Sequence, residues 1–436
     1  MIAVVGGGLI GACVAFELAQ AGHEVLVLDA DLPGAAWRAG AGLLTPSGER
    51  LRGTPLEGDA SESLGLWPDF ARRLEEVSGQ HIGFQEGVFR VAFDEEQART
   101  LNADTDGEAR DFSHSHLSAA RFHANEGRVH PPSVRGAALS GLRVLHARVE
   151  RIEPLEKGLG LHLDSGVFVD AHVAVLCCGA WSGAFGLPIC AVQGQALLLD
   201  APRDSPALYG PSQNGSSQYA LGRLDGLYVG ATSRDASTEE TSPDAASVEI
   251  LRDKARRLMG EETANAPIVK HLVGFRPTTP DGLPIIGLHP ELANVVVATG
   301  HSRHGVLLAP LTARRVSQLV RELLGKYGQS AEDAAQVAVA RGAAQVMVPE
   351  AAALIVVPSA TQAVTSGEAP VAAPSATQVV VTKDTAQVAP NATHAVVEDT
   401  KQVAVAPDGA QVAVGRPRLR SGQHVQQGTL AIEVNA

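Results

Sequence analysis

The sequence predicts an α/β protein over residues 1–327, followed by a tail built to a different rule, and three observations predict it. A glycine-rich turn, Gly6-Gly7-Gly8-Leu9-Ile10-Gly11, sits between an apolar strand and a helical stretch. Apolar runs such as "VFVDAHVAVLCCGA" (167–180) and "NVVVATG" (294–300) alternate with helical periodicity up to "TARRVSQLVRELLGKYG" (312–328). From Gly328 onward there is no Phe, Tyr or Trp.

The elements follow in order. "IAVVGG" and "EVLVLDA" read as strands, and residues 9–22 between them as a helix with Ala and Leu on one face. Within the turn, Gly6 permits the tight bend, Gly8 lets a pyrophosphate approach the backbone, and Gly11 lets helix and strand pack closely. The first helical residues, Leu9 and Ile10, present unpaired N–H groups to the phosphates. Asp29, ending the second strand, is placed to accept hydrogen bonds from a ribose diol. Strand, turn, helix and acidic partner together predict a Rossmann-like dinucleotide site, without separating FAD from NAD.

Further along, Val273 to Phe275 read as the end of a strand, and "PTTPDG" (277–282) as a tight turn. Arg276 therefore stands at the mouth of a turn, either stapling it or aimed at an incoming anion. The region 328–436 is built from a recurring unit ("AQVAVA", "ALIVVP", "TQVVVT", "THAVVE", "AQVAVG") with a period of roughly eight or nine, which reads as strand then turn. It is a Val/Ala-rich β-repeat or a biased, disordered tail.

Composition excludes several classes. The chain has 436 residues, 45% of them hydrophobic, so it is not disordered as a whole. A formal charge of −13 leaves no basic surplus for nucleic acid. No apolar run reaches the roughly 20 residues of a membrane span, and no leader segment precedes the first strand, so a cytoplasmic location is expected. The four cysteines (13, 177, 178 and 190) show no metal-ligand spacing, and three lie in apolar surroundings. His114 and His116, in "FSHSH", have no Cys or carboxylate cluster to complete a metal site. Self-association as a homo-oligomer is compatible with all of this.

"GAAWRAGAGLLTP" (34–46), "GVFRVAF" (87–93), "CCGAWS" (177–182), "GFRPTTPDGLPIIG" (274–287) and "ATGHSRHGVLLAP" (298–310) occur in this order. In this the chain resembles the glycine oxidase branch of the flavin-dependent D-amino-acid oxidase family over residues 1 to about 325. The resemblance implies FAD, held non-covalently, in parts 1–80, 131–191 and 268–327. It implies a sheet-containing substrate domain in parts 81–130 and 192–267.

Carried over residue by residue, Arg276 matches the arginine that pairs with a substrate carboxylate. Tyr219, in "SSQYALGR", matches a tyrosine touching the same group, and Arg303 a second arginine near the substrate. Ala41, Gly42 and Leu43 match backbone lying against the flavin ring, and Val149 the residue meeting adenine. Gly179, His301 and Gly305 fall in the same matched stretches and join the expected cofactor contacts. No histidine base is required for hydride removal, so His301 and His304 read as structural.

Three departures stand out. Arg38 puts a charge near the expected cofactor path, Leu43 replaces a common methionine, and Ser233 stands where a methionine is frequent. No cysteine lies near Arg276 in sequence, so no covalent flavin link is expected.

The implied activity is oxidation of glycine or a similar small amine or D-amino acid, with oxygen returning as hydrogen peroxide. A role in thiazole formation for thiamine is part of the resemblance. Two alternatives stay open: a D-amino-acid dehydrogenase, acting for instance on D-proline and passing electrons to a carrier, and a scaffold protein with a vestigial flavin module.

Overall fold

Strand Ile2–Val5 consists of four apolar residues, all buried, and it pairs in parallel with Val25–Leu28 on one side and Val173–Leu176 on the other. Such runs, apolar on both faces, belong inside a sheet covered on both sides. Here Ile2 and Val4 pack into one core with the helices Leu9–Gln20 and Glu57–Ser78. Ala3 and Val5 pack into another with Leu159, Leu161 and Leu163. The full sheet has six strands in the order Ile285–Leu288, Val295–Thr299, Val173–Leu176, Ile2–Val5, Val25–Leu28, Arg143–Leu145. Only the edge strand Ile285–Leu288 is antiparallel to its neighbour. An antiparallel sheet of three strands, Val149–Pro154, Leu159–Leu163 and Phe168–Ala171, covers one face. The fold is the α/β architecture the sequence predicts.

The computed structural model describes residues 1–103, 107–110, 117–213 and 216–340, together with four short strands further on. His114 and His116 lie outside the described residues. The chain divides into two compact units, Met1–Gln336 and Val337–Ala436. The second contains two antiparallel pairs, Ile355–Val357 with Gln378–Val380 and Ala395–Glu398 with Thr429–Ile432. Most of the repetitive stretch lies outside the described residues.

A second, mixed sheet of ten strands occupies the middle of the first unit. At its heart Cys190–Leu199 pairs antiparallel with both Gly226–Gly230 and Ile268–Thr278. The last of these, the arginine strand, reaches into the first half of the chain: Phe275 N donates to Gly34 O at 2.8 Å, and Phe275 forms a bridge with Ala35.

Three local expectations change. The run 167–180 is not one buried strand but two in different sheets, Phe168–Ala171 and Val173–Leu176, and Phe168 is exposed. The arginine strand continues through Pro277 to Thr278, so Arg276 lies within a strand, paired with Val192, rather than at the mouth of the turn. The turn itself closes later, where Gly282 N donates to Thr279 O at 3.1 Å. Finally, the helix read at 312–328 is part of Gly305–Ala340 and carries Pro310 inside it. Proline removes one helical N–H and disturbs the bonding of the preceding turn. In that turn the carbonyl of Leu307 accepts from Ser63 Oγ at 2.7 Å and Trp67 Nε1 at 3.1 Å, and Leu311 N donates to Ser63 Oγ at 3.4 Å.

Candidate active site

The glycine turn has the conformation its sequence requires. Gly6 has φ +96, and a Cβ there would stand 2.5 Å from Cys177 O. A Cβ on Gly11 would stand 1.8 Å from Gly6 O, so Gly11 serves packing between turn and helix and does not line the cavity. At Gly8 the nearest atom to an added Cβ is Trp37 Cδ1 at 3.6 Å. The protein thus leaves that position open, and an approaching ligand is what needs it small. Gly8 is also the N-cap of Leu9–Gln20 and supplies no side-chain cap, so the first helical N–H groups keep no protein acceptor from it.

Asp29 stands at the end of the second strand. Arg135, which no sequence motif singles out, donates through Nη2 to Asp29 Oδ2 at 2.8 Å and through Nε to Gly7 O at 2.6 Å. One guanidinium thereby ties the turn to the carboxylate. Arg38 does not itself line the cavity: it pairs with Asp31, and its guanidinium carbon lies over Trp37, 4.5 Å from the ring centroid.

Gly6, Gly8, Leu9, Ile10 and Asp29 line one end of a cavity of about 750 Å³. Ala41, Gly42, Leu43, Val149 and Gly179 line the same cavity, as do His301 and Gly305. Tyr219, Arg276 and Arg303 complete it, so every site residue expected from the sequence is brought together here except Gly11. Cys177 and Cys178 also line it, which sequence proximity to Arg276 could not reveal. Burial raises both thiols, Cys178 to about 12 with the charge of Asp29 adding to the effect. Protonated thiols are poor nucleophiles, which suits a cofactor held without a covalent link.

At the other end two arginines face the cavity under different restraints. Both terminal nitrogens of Arg276 donate to Thr232 O at 3.3 Å, and among the described residues no carboxylate pairs with it. Its guanidinium lies flat over Gly194, where an added Cβ would stand 2.3 Å from Nη2. Arg303 is engaged on three sides: Nε meets Glu49 Oε2 at 2.6 Å, Nη2 donates to Tyr209 OH at 3.1 Å, and it also donates to Ser217 Oγ. Tyr209 OH in turn donates to Glu49 Oε1 at 3.1 Å. The sequence signalled neither Glu49, which lines the cavity, nor Tyr209, which bonds Arg303, because Glu49 and Arg303 lie 254 positions apart along the chain.

Burial pushes the Glu49 carboxyl up, with Arg303 pulling it down. Burial likewise raises the Tyr219 phenol, against the charges of Arg276 and Arg303. Tyr219 stacks on Tyr228, with ring centroids 6.1 Å apart, and lies tilted to Tyr209 at 5.5 Å. His301 bonds Thr312 Oγ1 through Nε2 at 3.0 Å, and burial lowers it to about 3. Burial and the charge of Arg303 lower His304 to about 4. Both rings are neutral near pH 7 and neither is poised to exchange protons there.

The arrangement therefore sets a glycine turn, an uncapped helix start and the Asp29 carboxylate in the same cavity as the Arg276 guanidinium, which pairs with no carboxylate among the described residues. These donors fit FAD: an open Gly8, an uncapped helix start and a braced Asp29 are the features its pyrophosphate and ribose need.

The comparisons with known proteins agree. The DAO family profile, described as FAD dependent oxidoreductase, matches residues 1–319. The chain is 32% identical over 352 residues to the glycine oxidase of Geobacillus kaustophilus, covering 73% of this chain and 92% of that one. It is 30% identical over 352 residues to the bifunctional protein ThiO/ThiG of Trichormus variabilis, covering 74% of this chain and 52% of the relative, about half its length. The crystal structure of the Geobacillus kaustophilus enzyme superposes with a TM-score of 0.65 at 29% identity, over 74% of this chain and 94% of that one.

Proposed function

This chain belongs to the DAO family of FAD-dependent oxidoreductases, and we propose that it oxidises glycine or a comparably small amine or D-amino acid, using oxygen as electron acceptor. The observation that carries the reading is Arg276. It is a guanidinium facing the cofactor cavity from a regular strand, with a backbone carbonyl as its acceptor and no carboxylate partner among the described residues. A planar donor pair of this kind matches a carboxylate bidentately, which lysine cannot do.

In this mechanism Arg276 grips the substrate carboxylate and Tyr219 adds a further donor from the neighbouring wall. Arg303, already neutralised by Glu49, shapes the pocket rather than competing for the same anion. Fixing the carboxylate orients the α-carbon toward the flavin end, and orientation is a large part of the rate. Bound FAD supplies the two-electron oxidation of the carbon–nitrogen bond. The substrate amine must be neutral for its lone pair to assist, and neither His301 nor His304 is needed to take a proton from carbon. The product imine hydrolyses to an oxo acid and ammonia, glyoxylate in the case of glycine. The likeness to a ThiO/ThiG protein is in keeping with the imine serving thiazole formation for thiamine, as the family resemblance implies.

The test is anaerobic bleaching of the flavin by glycine, sarcosine, D-alanine and D-proline, followed by peroxide yield under air. Fast bleaching by glycine with one peroxide per turnover is expected. Bleaching by D-proline alone, with electrons passing to an artificial dye and little peroxide, would favour the dehydrogenase reading.

A further inference from the structure

Lys254 lies on the helix Ala245–Met259, which packs on the large sheet, and the residue is 2% exposed. Its ammonium donates to Ala231 O at 2.6 Å and to Ser217 O and Ser216 Oγ at 2.9 Å each. Among the described residues it has no carboxylate at ion-pair distance. A buried cation satisfied by neutral oxygens alone is a costly arrangement, and a methionine of similar length would avoid the cost.

The acceptors explain its presence. Ser216 and Ser217 begin the strand Ser216–Arg223, and Ala231 follows the end of the strand Gly226–Gly230. The next residue, Thr232, supplies the carbonyl that receives both terminal nitrogens of Arg276. Ser217 supplies the hydroxyl that receives Arg303. One ammonium thus ties together the two backbone segments that hold the two cavity arginines. We propose that Lys254 is a positioning residue for carboxylate recognition, fixing Thr232 O and Ser217 Oγ so that Arg276 and Arg303 keep their relative register. Its charge adds to the positive potential behind Arg276, although burial and that arginine lower it to about 8. The inference rests on the reading of Arg276 as the carboxylate anchor.

The experiment uses the FAD-loaded full chain and acetate, an unreactive carboxylate, titrated by the change it causes in the flavin absorption. Wild type, Arg276→Met, Lys254→Met and Lys254→Gln are compared, with flavin content and melting temperature alongside. Lys254→Met is expected to weaken acetate about tenfold and to raise KM for the amine substrate by a similar factor. The limiting rate of flavin reduction should stay within about twofold, and FAD should remain bound. Lys254→Gln, which retains a donor without the charge, should fall between the two. If acetate affinity is unchanged in both lysine variants while Arg276→Met loses it, the proposal is overturned and the reading of Arg276 stands. If wild type itself takes up no acetate, both fall. If neither lysine variant accumulates with FAD bound, Lys254 serves the fold alone, which also overturns the proposal.

Discussion

Arg276 and Arg303 share a charge and a cavity, and they differ in what already occupies them. Among the described residues Arg276 donates to Thr232 O, reaches the Tyr219 hydroxyl and pairs with no carboxylate, whereas Arg303 has a carboxylate, a phenol and a hydroxyl. Replacing Arg276 by Lys should keep the charge and lose the paired geometry, with most of the loss in KM. Arg276→Ala should cost more, about 2–5 kcal/mol in kcat/KM as for a truncated buried charge pair. Flavin content and melting temperature should barely move in either variant. An Ala variant that binds substrate normally but melts early would make the arginine a staple.

The neutral histidines give a second prediction at this scale. With folded values of about 3 for His301 and about 4 for His304, against an ordinary value near 6.5, the unfolded chain takes up protons first as pH falls. Stability is therefore fully present above pH 6.5 and declines below it, by roughly 1.5 kcal/mol for each ring between pH 6.5 and 5. Chemical denaturation of wild type and His304→Gln across that range would read it, and parallel curves for the two proteins would refute the His304 contribution. Arg276 was singled out by the stretch "GFRPTTPDGLPIIG" that carries the family resemblance, although its place inside the strand was not legible. Glu49, Tyr209 and Lys254 were not singled out, because nothing local marks them and their partners are distant in the chain.

Among the elements, the glycine turn separates ligand binding from packing within six residues. Gly8→Ala puts its methyl into open space beside Trp37, whereas Gly11→Ala drives it into Gly6 O. The first should cost about 1 kcal/mol or less of stability and weaken FAD by on the order of tenfold, roughly 1.4 kcal/mol. The second should destabilise the apoprotein by about 1–3 kcal/mol, as overpacking does. Calorimetry of the apo forms with FAD titration distinguishes them, and equal effects of the two on apo stability would contradict the assignment.

Strand, turn and helix here were readable because hydrophobic period and glycine spacing coincide. The run 167–180 was not, since Phe168–Ala171 and Val173–Leu176 are separated by one residue and belong to different sheets. Periodicity carries no sign of where a chain leaves one sheet for another. The arginine strand was read too short for a related reason. Pro277 looks like a breaker, yet the backbone continues through it in register with Ala191.

At the scale of the whole molecule, all residues of the cavity precede Leu308, and the first compact unit ends at Gln336. A chain ending after Ala340, which completes the helix Gly305–Ala340, should retain FAD and turnover within about twofold of the full length. Loss of flavin on that truncation would assign the repetitive region a part in the site. The arginine strand has a further consequence. It hydrogen-bonds Gly34 through Phe275 and carries Arg276, the proposed substrate anchor, at the very next residue, while ten of its residues pair with Cys190–Leu199. No hinge lies between the two functions. On the proposed reading a single extended backbone would set the distance from the cofactor to Arg276, so the pocket would work as a fixed gauge rather than as jaws. Amines should be sorted by the length between carboxylate and nitrogen, and a substrate one methylene too long meets a wall that cannot give.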